Sequence, residues 1–215
     1  MDNFITEQVQ NILHIGSQAL LVPVMIVLAV LVIYVVFCVG TLIAEYFTEH
    51  RHLNASIPDL MDSIDAARVC ELSKIINESG LLERQRTALQ TVVDHAALPF
   101  DDLLALAQKL LYTEEAYYEK VVSHTDYVAK IGPMFGLMGT LIPLGPGIVA
   151  LSAGDTETLS NALLIAFDTT VAGLIAAAVA VTVSKWRRRW YGDYMAMLEA
   201  TMTAVLKKLD TESEG

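Results

Sequence analysis

Three long stretches of this chain carry almost no charge, and that constrains its fold more than any other feature. Residues 19–44 and 131–153 contain no Asp, Glu, Lys or Arg, and residues 159–184 contain one, Asp168. Each is near or above the ~20 residues with which an α-helix crosses the hydrocarbon core of a bilayer. Backbone polar groups in lipid must be satisfied internally, and a helix does this within one segment. The sequence therefore predicts an all-α integral membrane protein with three transmembrane helices. A hydrophobic content of 54% and a mean hydropathy of +0.47 agree. The first stretch is expected to stay in the mature chain: Asp2 and Glu7 precede it without any Lys or Arg, and it is too long for the apolar core of a signal peptide.

Several function classes fall away on composition. A net charge of −11 argues against nucleic acid, whose phosphates need a basic surface. Cys38 and Cys70, the two cysteines, form no disulfide framework or C-x-x-C motif, and His50, His52, His95 and His124 are too scattered for metal-ligand spacing. No cofactor is expected. Neither a nucleophile with its base nor a phosphate loop is present, so an enzyme is not expected either. Asn54 opens an N-x-S sequon, but on a segment expected to be cytoplasmic, where it would not be glycosylated.

Charge also sets orientation. All 14 Lys and Arg lie between Arg51 and Lys130 or between Lys185 and Lys208. The positive-inside rule then puts the N-terminus and the turn at residues 152–158 outside, with the long loop and the C-terminus in the cytoplasm. Trp186, Trp190 and Tyr191 suit the headgroup level, and Arg187, Arg188 and Arg189 would anchor at the anionic inner leaflet.

The remaining segments read as helices. Residues 1–18 place Phe4, Ile5, Val9, Ile12 and Leu13 at helical spacing, which predicts an amphipathic helix on the outer surface. Residues 45–130 form a cytoplasmic helical domain without strand-like alternation. One helix starts at Ser56 and Pro58 and stops at Asn77 to Gly80; a second covers about Leu81 to Ala97. From Pro99 the apolar period runs unbroken to Lys130, which predicts a single long helix that continues into the second span. Asp101 and Asp102 suit its N-terminus, and Tyr112, Tyr117 and Tyr118 read as packing residues. Residues 185–215 form a cytoplasmic C-terminal helix and tail.

The second span, "GPMFGLMGTLIPLGPG" from Gly132, holds five glycines and three prolines. On a helix Gly132, Gly136 and Thr140 fall at i, i+4 and i+8, with Gly139 beside them. Such a stripe lets a neighbouring helix approach closely where lipid removes the usual hydrophobic drive. The third span carries matching stripes, Ala162, Ala166 and Thr170 in one and Thr169, Gly173 and Ala177 in the next. The two spans are expected to form a hairpin, partly wet and loosened in its outer half by Pro143 and Pro146. Asp168 marks an ion or proton pathway by default, because a charge inside a membrane is costly unless paired or hydrated. The alternative is that a neutral Asp168 bonds Thr169 or another helix as interhelical glue. Thr140 and Thr170 have a local option, since membrane threonines often bond their own i−4 carbonyl.

These residues carry a resemblance. "GPMFGLMGTLIPLGPGI" followed by "LSNALLIAFDTTVAGLIAAAVAV" resembles the signature of the MotA/TolQ/ExbB proton-channel family, with its G-L-x-G-T core in one span and A-L-x-x-A-x-x-x-T-x-x-G-L in the next. The layout of three spans, a large insert after the first and a short outer turn is similar to the TolQ/ExbB branch. The resemblance implies a homopentameric ring whose second and third spans surround a pore holding the single transmembrane helices of an ExbD/TolR/MotB-like partner. In that family a membrane aspartate on the partner carries the ion, ring threonines surround it, and ion flow drives mechanical work. By motif those threonines are Thr140 and Thr170. The sequence departs from some relatives in the third span: where they have an acid five residues before the threonine, this chain has Ile165, and Asp168 lies about one turn further on. At 100° per residue Asp168 and Thr170 point in nearly opposite directions, so both cannot face the pore centre.

Overall fold

The computed structural model describes residues 16, 18–50 and 57–213. The surface helix expected over residues 1–18 lies almost wholly outside them, as do His52 and Asn54. Among the described residues all regular structure is helical: α1 (Leu21–Glu45), closed by a π-helical turn (Tyr46–His50), α2 (Ile57–Ala66), α3 (Val69–Glu78), α4 (Glu83–Asp94), α5 (Phe100–Ser152) and α6 (Thr156–Ser213). Of these, α1, α5 and α6 are long and apolar enough to cross a membrane.

Helix α5 is the single long helix that the period from Pro99 predicts, 53 residues in length. The Pro99 carbonyl accepts the backbone N–H groups of Asp102 and Leu103, both at 3.0 Å, and the carboxylates of Asp101 and Asp102 sit against the positive end of the helix dipole. The expected loosening at its outer end is not found: α5 continues through Pro133, Pro143 and Pro146 to Ser152. Pro143 is buried, and a Cβ at Gly147 would lie 3.0 Å from the Cβ of Ala162. The opposing helix thus holds the turns from which proline removes a hydrogen bond. The chain then reverses at Gly154, whose φ of +80° is the left-handed conformation that glycine adopts without a Cβ penalty.

The insert departs from expectation at one point. In place of one helix between Ser56 and Gly80 there are two, α2 and α3, broken at Ala67 and Arg68. The break is a helix start: the Arg68 N–H and its Nη2 donate to the Glu71 carboxylate at 3.3 and 2.8 Å. These bonds hold Glu71 below the usual glutamate range, the Arg68 side-chain bond most of all. The next helix, α4, is shorter than the expected Leu81 to Ala97. It opens where Leu82 N–H donates to Gln85 Oε1 at 3.1 Å, and after Asp94 the chain closes in tight turns through Leu98.

Contacts divide the chain into two units, residues 1–40 with 123–184 and residues 41–122 with 185–215. In the first, Leu31 and Val35 of α1 pack with Val128 of α5 and Ala176 and Ala180 of α6. A buried hydroxyl pair also joins α6 to α5: Ser184 Oγ donates to Thr125 Oγ1 at 2.6 Å, with both residues 3% exposed or less.

The second unit has its own core, in which Leu72 and Ile76 of α3, Leu89 and Val92 of α4, Leu103 of α5 and Leu198 and Val205 of α6 are almost fully buried. Beside it Tyr118, Tyr191 and Tyr194 stack, the Tyr118 and Tyr191 ring centres 4.5 Å apart. Buried Gln85 donates from Nε2 to the Tyr194 carbonyl at 2.8 Å. Arg84 holds Glu114 through two bonds of 2.8 and 3.0 Å and covers the Tyr117 ring at 3.7 Å. Of the tyrosines expected to pack, Tyr118 does so, Tyr117 lies under Arg84, and Tyr112 is 65% exposed.

The basic run after the third span is not a uniform lipid anchor. Arg187 is 5% exposed. Its Nε and Nη2 donate to the two Glu45 carboxylate oxygens at 3.0 and 2.8 Å, and Nη2 also donates to Thr41 Oγ1 at 3.0 Å. A bidentate pair fixes both position and orientation, so Arg187 ties α6 to the end of α1.

Candidate functional site

The small residues of α5 and α6 meet at their backbones. A Cβ built on Gly132 would lie 3.0 Å from the Gly173 carbonyl, and one on Gly136 would lie 3.3 Å from the Thr169 carbonyl. At Gly139 the space is already taken, with Thr169 Cβ and Oγ1 2.6 Å from where a Cβ would stand. Gly173 is hemmed in by backbone, 2.6 Å from the Gly132 carbonyl and 2.9 Å from the Gly136 Cα. The seam on α6 thus follows Ala162, Ala166, Thr169, Gly173 and Ala177, all buried. It merges the two stripes read from the sequence and leaves Thr170 at its edge.

The hydroxyls along this seam are satisfied locally. Thr169 Oγ1 donates to the Ile165 and Ala166 carbonyls at 2.8 and 3.1 Å, and Thr170 Oγ1 donates to the Ala166 carbonyl at 3.0 Å. Thr140 Oγ1 donates to the Leu137 carbonyl at 2.7 Å, one residue nearer than the i−4 bond expected. Thr140 and Thr170 are both half-buried, on opposite helices. Each hydroxyl keeps its lone pairs available to a cation, a water or another chain.

Asp168 stands apart from the seam. It is exposed, and it makes no hydrogen bond or ion pair with any described residue, Thr169 included. Its face of α6 also carries Leu164, Val171 and Ile175, which are 59%, 54% and 57% exposed. Lipid can cover those three side chains. It cannot satisfy a carboxyl group, which needs water or protein. The divergent directions of Asp168 and Thr170 expected from helical spacing are reflected in their different burial.

Sequence reading missed two polar groupings outside this hairpin contact, Arg187 with Glu45 and Thr41, and Ser184 with Thr125. The partners are 142, 146 and 59 residues apart in sequence, so no local pattern could link them.

These features define a multi-pass helical membrane protein with an ionisable group on one of its spans. The sequence profile of the MotA/TolQ/ExbB proton channel family matches residues 74–200 of the 215, and the chain belongs to that family. The family is a class of channels, not of enzymes. No curated protein matches the chain individually.

Proposed function

We propose that this chain is the ring subunit of an ion-motive-force-driven motor, which converts proton flow into mechanical work through a single-span partner of the ExbD/TolR/MotB kind. The observation that carries the reading is Asp168, an exposed carboxyl on a membrane span that has no partner among the described residues. Its surroundings have to be completed by water or another chain. A pentamer around the partner's helices supplies both.

In this assembly α5 and α6 line the pore. Thr140 and Thr170 offer hydroxyl oxygens beside the partner's ion-carrying acid, Thr169 braces the backbone behind them, and Asp168 holds or relays an ion on the adjoining face. The close contact of Gly132, Gly136, Gly139 and Gly173 keeps each hairpin stiff enough for the ring to assemble and transmit force. The complex lies in the inner membrane with its N-terminus outside, and residues 45–130 and 185–215 extend into the cytoplasm, in accord with the distribution of Lys and Arg.

The test is proton flux into liposomes containing the full chain with and without its single-span partner, with Asp168→Asn in parallel. Partner-dependent flux that Asp168→Asn abolishes is the expected result. Flux unchanged by that substitution would leave the pathway to Thr140, Thr170 and the partner. No flux with the partner demonstrably bound would overturn the channel reading in favour of an oligomeric scaffold or sensor.

A further inference from the structure

The second unit holds a cleft of about 600 Å³ lined by apolar and aromatic residues, Leu42, Ile43, Tyr46, Phe47, Trp186 and Trp190, and by two charged ones, Arg189 and Asp193. Its volume lies within the ~300–1,000 Å³ of ordinary small-molecule sites. The cleft belongs at a membrane–water boundary: its residues come from the end of the span Leu21–Thr48 and from the stretch of α6 where the apolar run gives way to basic residues. Trp and Tyr are the side chains that favour this depth. Trp186 and Tyr46 remain 55% and 46% exposed, so no described residue fills the space.

The two charges in the lining narrow the choice of occupant. Arg187, two residues before Arg189, is committed to Glu45, whereas Arg189 makes no ion pair among the described residues. Asp193 lies one turn after Arg189, yet the two side chains do not form an ion pair. Along α6 a cation therefore stands nearer the apolar segment and an anion about 6 Å further on, at 1.5 Å rise per residue. A glycerophospholipid with a primary ammonium headgroup presents the complementary order: acyl chains, then phosphate, then ammonium on a two-carbon linker.

We infer that this cleft binds one aminophospholipid from the leaflet at the basic end of α6, with its phosphate on Arg189, its ammonium on Asp193 and an acyl chain along Leu42 and Ile43. Charge-assisted hydrogen bonds at both ends of the headgroup discriminate against a purely anionic lipid, which Asp193 repels, and against a quaternary ammonium, which has no N–H to donate. The site goes beyond the channel reading and does not depend on it.

Trp186 and Trp190 are the two tryptophans of the chain and both line the cleft, so their fluorescence reports on it directly. The full chain in detergent micelles is titrated with phosphatidylethanolamine bearing brominated acyl chains, and in parallel with brominated phosphatidylglycerol and phosphatidylcholine. Phosphatidylethanolamine is expected to quench at a mole fraction about tenfold lower than the other two, a difference of one decade in affinity. Arg189→Gln removes that preference. Asp193→Asn raises the apparent affinity for phosphatidylglycerol above that for phosphatidylethanolamine, a gain that misfolding cannot mimic. Equal quenching by all three headgroups, unaltered by either substitution, would overturn the site and leave ordinary boundary lipid. Tryptophans quenched by none of them would overturn it too, the outcome when a second copy of the chain covers the cleft.

Discussion

Gly173→Ala adds a single methyl group at the tightest backbone contact in the hairpin. The new Cβ would stand 2.6 Å from the Gly132 carbonyl oxygen and 2.9 Å from the Gly136 Cα, whereas ordinary contact begins at 3.4 Å. The helices must therefore part locally to restore ordinary contact. Both opposing atoms are backbone, so no side-chain rotation relieves the clash. Overpacking of this kind costs about 1–3 kcal/mol, against a gain of about 1 kcal/mol from replacing glycine by alanine within a helix. A net loss of up to about 2 kcal/mol lowers the melting temperature by up to roughly 8 °C for a chain of this size, while the full overpacking cost of about 1–3 kcal/mol shows against a site that only gains. Gly145→Ala is the control, because a Cβ there meets nothing within 4 Å and receives the propensity gain alone. Thermal unfolding of the purified protein in detergent, followed by far-ultraviolet circular dichroism, distinguishes the two. If Gly173→Ala melts at or above the temperature of Gly145→Ala, the argument for backbone contact between α5 and α6 is refuted.

Three further predictions concern polar groups. Glu45→Gln leaves Arg187 buried beside a neutral partner and should cost about 3 kcal/mol, of which the double substitution Glu45→Gln with Arg187→Met recovers more than half; denaturant unfolding of both variants tests this, and an equal loss in the two would contradict it. Ser184→Ala removes the donor to buried Thr125 and should cost about 1–3 kcal/mol, whereas adding Thr125→Val restores part of that loss, as a double-mutant cycle would measure. At the turn before α6, the Thr158 hydroxyl and then its backbone N–H donate to Asp155 and hold that carboxyl below the usual aspartate range. A depressed folded pKa means that this cap stabilises the turn above the usual aspartate range and is lost as pH falls through the folded value. The Thr158 amide resonance should titrate with a midpoint below the usual aspartate range, and one at or above that range would contradict the capping bond.

Much of this architecture is legible in the sequence because it depends on local periodicity. The long helix after Pro99 follows from an apolar period that nothing interrupts, and the close approach of α5 and α6 follows from glycines at i and i+4. The break at Arg68 escaped because arginine is not a recognised N-cap, and its bonds to Glu71 depend on where both side chains lie. Pro143 and Pro146 misled for a related reason: proline weakens a helix in isolation, but packing against Ala162 and Leu159 holds those turns. The role of Arg187 was hidden by distance, since three consecutive arginines look alike until one meets an acid on another helix. Asp168 was recognisable as exceptional because any charge within such a run is rare, and its lack of a partner among the described residues required coordinates.

The seam between α5 and α6 has one more consequence. From Ala162 to Val183 its buried positions on α6 are alanine, glycine and valine, apart from Thr169, whose hydroxyl is occupied by its own backbone. The next buried hydroxyl is Ser184, 15 residues beyond Thr169. That face of α6 therefore offers a charge almost no free polar group. Moving one charge across 100 mV releases about 2.3 kcal/mol, but a charge pays more than that to enter an apolar seam. On the function proposed above, ions therefore pass over the outer surfaces of the hairpin and not between its two helices.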